Sequence, residues 1–152
     1  MEAPENQQRV LGSDRSLYHL PRNLESWEVH LKYIVSKRID GICSAHKLEW
    51  HPGPCRNLHG HSWSIEIAVS RTMLNENGIV VDFGALKDFL DEIKEALDHK
   101  YLNDIGGLEN PTAEVLCGWV EKRFTKKCRI WQVNPEYIRV WETPNSEVEM
   151  RF

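Results

Sequence analysis

No stretch of residues 1–24 is long and apolar enough for a signal peptide or a membrane span, and the expectation is a cytoplasmic protein. Cysteine is also scarce. The four thiols, at positions 43, 55, 117 and 128, include no Cys-x-x-Cys pair and have no secretory context, which argues for reduced thiols. An excess of basic charge is missing too. Nineteen Lys and Arg against 23 Asp and Glu leave a net charge of −4, spread along the chain, with no reason to expect nucleic acid. The densest basic stretch, Lys122, Arg123, Lys126, Lys127 and Arg129, reads as the solvated end that follows a helix rather than as a docking patch. Repeats and low-complexity tracts are absent, and 152 residues suit one domain able to bury most of its apolar surface.

What is there divides cleanly. Residues 1–25 are polar, with Pro4, Pro21 and no periodicity, and read as an extension ahead of a single domain over 26–152. Trp27 to Ala45 is rich in β-formers, with apolar residues on odd positions up to Val35, which is strand alternation. Pro52, Gly53 and Pro54 make Lys47 to Leu58 a loop. His59 to Val69 alternates again, and after a turn at Asn75–Gly78 a short strand is expected over Ile79 to Val81. Leu86, Phe89, Leu90, Ile93 and Leu97 form one helical stripe, with Asp82 as its N-cap. A second helix starts near Asn110-Pro111-Thr112, with Pro in its first turn, and buries Val115, Leu116, Trp119, Val120 and Phe124. Tyr137 to Glu142 and Val148 to Phe152 read as a hairpin with a longer loop. Strands segregated from helices in this order imply an α+β fold, an antiparallel sheet with both helices on one face.

The chemistry concentrates around His59-Gly60-His61. Side chains two apart on a strand share a face, so both imidazoles can reach one ion. A hairpin pairing 27–45 with 59–69 would bring His46 alongside them, and three histidines with an open position are the ligand set of a catalytic zinc. Cys55, just ahead of His59, would close the tetrahedron if bound; unbound near a dication, it could act as a base or nucleophile. Spacing does not separate these. Asp98-His99 is either an acid–base pair or simply the end of a helix. Glu142 shares strand parity with Ile138 and Val140, so it is either a carboxylate on an apolar face awaiting a ligand with N–H donors or a surface residue at a fraying end.

Taken in order, Cys43-Ser44-Ala45-His46-Lys47-Leu48, Cys55-Arg56-Asn57-Leu58-His59-Gly60-His61, Val81-Asp82-Phe83, Leu97-Asp98-His99-Lys100-Tyr101-Leu102-Asn103, Asn110-Pro111-Thr112-Ala113-Glu114 and Trp141-Glu142-Thr143 resemble the 6-pyruvoyl-tetrahydropterin synthase / 6-carboxytetrahydropterin synthase family over roughly residues 27–152. Three residues between Cys55 and His59 resemble the carboxytetrahydropterin synthases of the queuosine and 7-deazaguanine pathway. The resemblance implies a tunnelling fold: a four-stranded antiparallel sheet backed by two helices, closing as a trimer into a twelve-stranded barrel, with two trimers stacked as a homohexamer. It implies zinc on His46, His59 and His61, an acid–base set of Cys55, Asp98 and His99 with the last two supplied by a neighbouring subunit, and a pterin anchored by Glu142 in a pocket lined by Thr112.

The implied reaction converts 7,8-dihydroneopterin triphosphate into 6-carboxytetrahydropterin with loss of triphosphate and acetaldehyde. Zinc would acidify the side-chain hydroxyls, Cys55 would take the carbon-bound proton, and His99, oriented by Asp98, would relay protons. A pyruvoyl-forming or sepiapterin-cleaving enzyme on the same scaffold is the alternative, and a non-catalytic zinc module closed by Cys55 is another. Ile42 stands where the family usually has Phe, and Trp50, one of six tryptophans, lies between the ligands, where it could cover the pocket or merely pack.

Overall fold

Val35, Ile39, Ile42, Trp63, Ile65, Ile67 and Val69, all β-branched or aromatic, face inward from two long antiparallel strands, β1 (Tyr33–His46) and β2 (His59–Arg71), and these two set the frame. The structure is a computed structural model and describes residues 31–152. The extension over 1–25 and the first residues of the strand expected from Trp27 lie outside the described residues. After β2 come helices α1 (Phe83–Leu97) and α2 (Ala113–Trp131), then β3 (Asn134–Thr143) and β4 (Ser146–Arg151). The sheet order is β1-β2-β3-β4, antiparallel throughout, so the sheet is a meander interrupted by a helical pair.

The core lies between one sheet face and the two helices. Ile42, Trp63, Ile65, Ile67, Val69, Ile138 and Val140 come from the sheet. The α1 stripe of Leu86, Phe89, Leu90, Ile93 and Leu97 meets them, as do Leu116, Val120 and Phe124 of α2. Each such side chain contributes about 1.5–3 kcal/mol by leaving water. Asp82 caps α1 by accepting from Gly84 N–H, and Thr112 caps α2 by accepting from Val115 N–H at 3.3 Å.

Several expectations need correction. Residues 79–81 pair with no strand; Val80 is buried and Val81 packs on the core without ladder bonds. Pro111 precedes the cap of α2 instead of entering its first turn, and Val115 is only half-buried. The basic stretch lies within α2, which runs on to Trp131, so its charges decorate the last turns of the helix. The β3–β4 loop is short: Thr143 pairs with Ser146, leaving Pro144 and Asn145 as the turn.

One irregularity positions everything that follows. The β1–β2 register shifts between Ile39 and Ile42, around Gly41 with φ +69°. Before this bulge the inward residues of β1 are odd (Val35, Ile39); after it they are even (Ile42, Ser44, His46).

Candidate metal centre and the adjoining pocket

The bulge turns His46 onto the face that carries His59 and His61, and the register pairs His46 with His59 and Ser44 with His61. The ring nitrogens of His46, His59 and His61 lie within 4.8 Å of one another, and no thiol or carboxylate among the described residues joins that set. His46 Nδ1–H donates to the Pro111 carbonyl at 2.8 Å and His59 Nδ1–H to the Asn57 carbonyl at 2.8 Å. A carbonyl only accepts, so Nδ1 of each ring carries the donated proton, and the two Nε2 atoms stand 3.0 Å apart. His61 Nε2 is buried with no hydrogen-bond partner among the described residues. Burial pushes His46 and His61 below the ordinary imidazole value, which keeps both neutral. Three imidazoles, two of them oriented by backbone carbonyls, fit a divalent metal ion.

Glu142 follows Val140 on the inward parity of β3, and its Oε1 lies 3.6 Å from His46 Nε2 and 3.7 Å from His61 Nε2. Its carboxylate also faces a pocket of about 340 Å³ shared with Cys55, Thr112, His51 and Glu114. Cys55 sits in a single 3-10 turn, Pro54–Arg56, half-buried and outside the histidine set, on the wall of the pocket that Glu142 also lines. The buried thiols behave differently: burial pushes Cys117 up to about 11 and Cys128 up to about 12.

Asp98 and His99 are held elsewhere. Asp98 ends α1, accepts from Cys43 N–H at 2.7 Å and contacts His99 Nδ1 at 3.1 Å. The Cys43 N–H first, then His99, hold the Asp98 carboxyl below the usual carboxylate value. His99 takes φ +55°, donates its N–H to the Cys43 carbonyl at 2.6 Å, and leaves its side chain 81% exposed. It opens into a depression of about 630 Å³ along the edge strand, with Cys43, His61, Ser62 and Lys100. Within one chain the Asp98–His99 pair is therefore not gathered with Cys55 and Glu142. Asn103 ties the following turn to β1, accepting from Lys47 N–H and donating to its carbonyl, each at 3.0 Å.

Trp50 does not line the Cys55 pocket; its Nε1–H donates to Asn110 Oδ1 at 2.7 Å beside Lys47 and Asn103. The sequence reading missed His51 and Glu147 on the Cys55 pocket wall. A histidine four residues ahead of the thiol was the available signal for the first. Among the described residues, no helix is long and apolar enough to cross a membrane.

Comparison with known proteins gives this arrangement its context. A 6-carboxy-5,6,7,8-tetrahydropterin synthase of Synechocystis sp. is 46% identical over 82 residues, 51% of this chain and 64% of that protein. The chain thus matches a little under two thirds of that relative's length. A dihydroneopterin monophosphate aldolase of Pyrococcus furiosus is 34% identical over 95 residues, 62% of this chain and 79% of that protein. The solved structure of the Caenorhabditis elegans 6-pyruvoyl tetrahydropterin synthase superposes with a TM-score of 0.69 at 17% identity, covering 80% of this chain and 96% of the other, a likeness of fold. The family model described as 6-pyruvoyl tetrahydropterin synthase matches residues 34–151, and the chain belongs to that family.

Proposed function

We propose that the protein is a zinc-dependent carbon–carbon lyase, a 6-carboxytetrahydropterin synthase, that consumes 7,8-dihydroneopterin triphosphate and water and releases 6-carboxy-5,6,7,8-tetrahydropterin, acetaldehyde and triphosphate, a step in queuosine and 7-deazaguanine synthesis. The observation that carries the reading is the meeting of two elements: three clustered imidazoles, with His61 Nε2 unpartnered among the described residues, and a pocket holding a thiol and the Glu142 carboxylate that reaches them. The identity with the Synechocystis synthase supports the choice of reaction.

His46, His59 and His61 would hold the metal, which when bound polarises the substrate's side-chain oxygens and eases loss of the neighbouring carbon-bound proton. The rest falls to the chain's own groups. Glu142 accepts two N–H bonds from one edge of the pterin and so fixes the side chain near the histidines. Thr112 lines the same wall. Cys55, as thiolate, takes the carbon-bound proton. His99, oriented by Asp98, returns protons to the ring and assists cleavage of the side chain. Because His99 is exposed on the edge of the sheet, it serves this pocket from a neighbouring subunit in a homotrimer or a dimer of trimers, whose closed barrel also removes the free sheet edges.

A second reading, an aldolase acting on dihydroneopterin monophosphate, follows from the Pyrococcus furiosus relative. Incubating metal-loaded protein with each phosphate ester and identifying the released aldehyde separates the two. Acetaldehyde from the triphosphate supports the synthase; glycolaldehyde phosphate from the monophosphate supports the aldolase and overturns it.

A further inference from the structure

His51 has no part in the reaction derived above, yet it lines the wall that Cys55, Thr112 and Glu142 share. The loop carrying it is tied at its ends. Leu48 N–H donates to the Cys55 carbonyl and His51 N–H to the Leu48 carbonyl, both at 2.9 Å, so His51 and Cys55 belong to one closed turn. Gly53 N–H donates to His51 Nδ1 at 3.0 Å. The ring lies against Gly53: a Cβ there would stand 3.1 Å from His51 Cε1, so the missing side chain makes its seat. An Nδ1 that accepts a backbone N–H carries no proton, and the neutral ring then carries its proton at Nε2, free to donate.

The rest of the wall is rich in acceptors. Glu114, Glu142 and Glu147 supply three carboxylates, and among the described residues neither lysine nor arginine lines it. Such a surface suits the N–H edge of a heterocycle. A substrate hydroxyl that turns its oxygen to this wall needs a donor, and beside the hydroxyls of Thr112 and Ser146 the lining offers the nitrogen-bearing side chain of His51.

We propose that His51 is a specificity-determining residue of this pocket, its Nε2–H hydrogen-bonding a hydroxyl oxygen on the side chain of the pterin and so separating hydroxylated from alkyl side chains. The assignment rests on the reading of the pocket as a pterin site. The test is a fluorescence titration of the zinc-loaded protein with two unreactive pterins, neopterin and 6-methylpterin. His51→Asn keeps an acceptor for Gly53 N–H while withdrawing the donor; His51→Gln carries an amide N–H to the Nε2 position. Asn is expected to weaken neopterin by about threefold to tenfold and to leave 6-methylpterin unchanged, with Gln restoring the difference. An Asn variant that keeps the full wild-type preference for neopterin overturns the assignment, and so does a Gln variant as poor as Asn. Wild-type protein that binds neither pterin overturns the reading of the pocket itself.

Discussion

His46 Nε2 and His59 Nε2 face each other at 3.0 Å while the Nδ1–H of each ring donates to a carbonyl. Neither Nε2 is taken up by a carbonyl, which leaves the two nitrogens to share a cation. Nitrogen–zinc bonds of about 2.0–2.1 Å in a tetrahedron place two ligand nitrogens about 3.3 Å apart, close to the spacing already present.

Removing a ligand should therefore empty the centre. His61→Ala and His59→Ala are each expected to bring zinc content, measured by atomic emission, to about a tenth of the wild-type stoichiometry or below. Chelation of the wild type should lower the melting temperature by about 5–15 °C, and neither variant should respond to it. A His61→Ala protein with full metal content would sink the three-histidine assignment.

Cys55 lies outside the histidine set but on the pocket wall that it shares with Glu142, so Cys55→Ala separates binding from chemistry. Full zinc content with turnover down about a thousandfold is the expected pair of results. Strong thiolate-to-metal charge transfer in a resting cobalt-substituted sample would instead make Cys55 a ligand.

Asp98 predicts a pH effect on stability. Its folded-state value lies below the ordinary carboxylate value, so the unfolded chain binds the proton more readily, and the stabilisation present above that ordinary value is lost as pH falls through the folded one. Melting curves between pH 5 and pH 2 should fall less steeply for Asp98→Asn than for the wild type. Identical slopes would show that the Cys43 N–H bond contributes nothing.

Gly41 occupies φ +69° with open space around it, the nearest atom to a Cβ being Lys94 Nζ at 3.9 Å. Gly41→Ala should then cost about 1–2 kcal/mol in urea unfolding, from backbone strain and not from crowding. An alanine variant as stable as the wild type would mean that the bulge tolerates a side chain.

The α1 stripe, the Asp82 cap and the alternation of β2 were legible because each is a local pattern written in adjacent turns or pleats. His46 was readable as a neighbour of His59 and His61 only through the assumed hairpin. Its face was not: odd positions of β1 are apolar up to Val35, and plain alternation would point His46 away from the core. Gly41, following Asp40, was the one local sign of the change of parity. The Pro111 carbonyl that orients His46 and the Asn103 amide that clasps Lys47 were beyond reach, since both partnerships join residues more than fifty positions apart. Val80 misled for the opposite reason: a β-branched pair next to a turn looks like a strand, yet here it fills the core from a loop.

The bulge at Gly41 makes the centre depend on counting. A single-residue insertion or deletion between Ile39 and Ile42 would leave every helix and nearly all of the composition untouched, yet it would exchange the two faces at the end of β1, turning Cys43 and Ala45 inward and His46 out. Substitution at His46 removes one ligand; a change of length four to seven residues upstream removes the same ligand while leaving the histidine in the sequence. Among relatives of this chain, the number of residues between the bulge and the histidine is thus as diagnostic of an intact centre as the histidine itself.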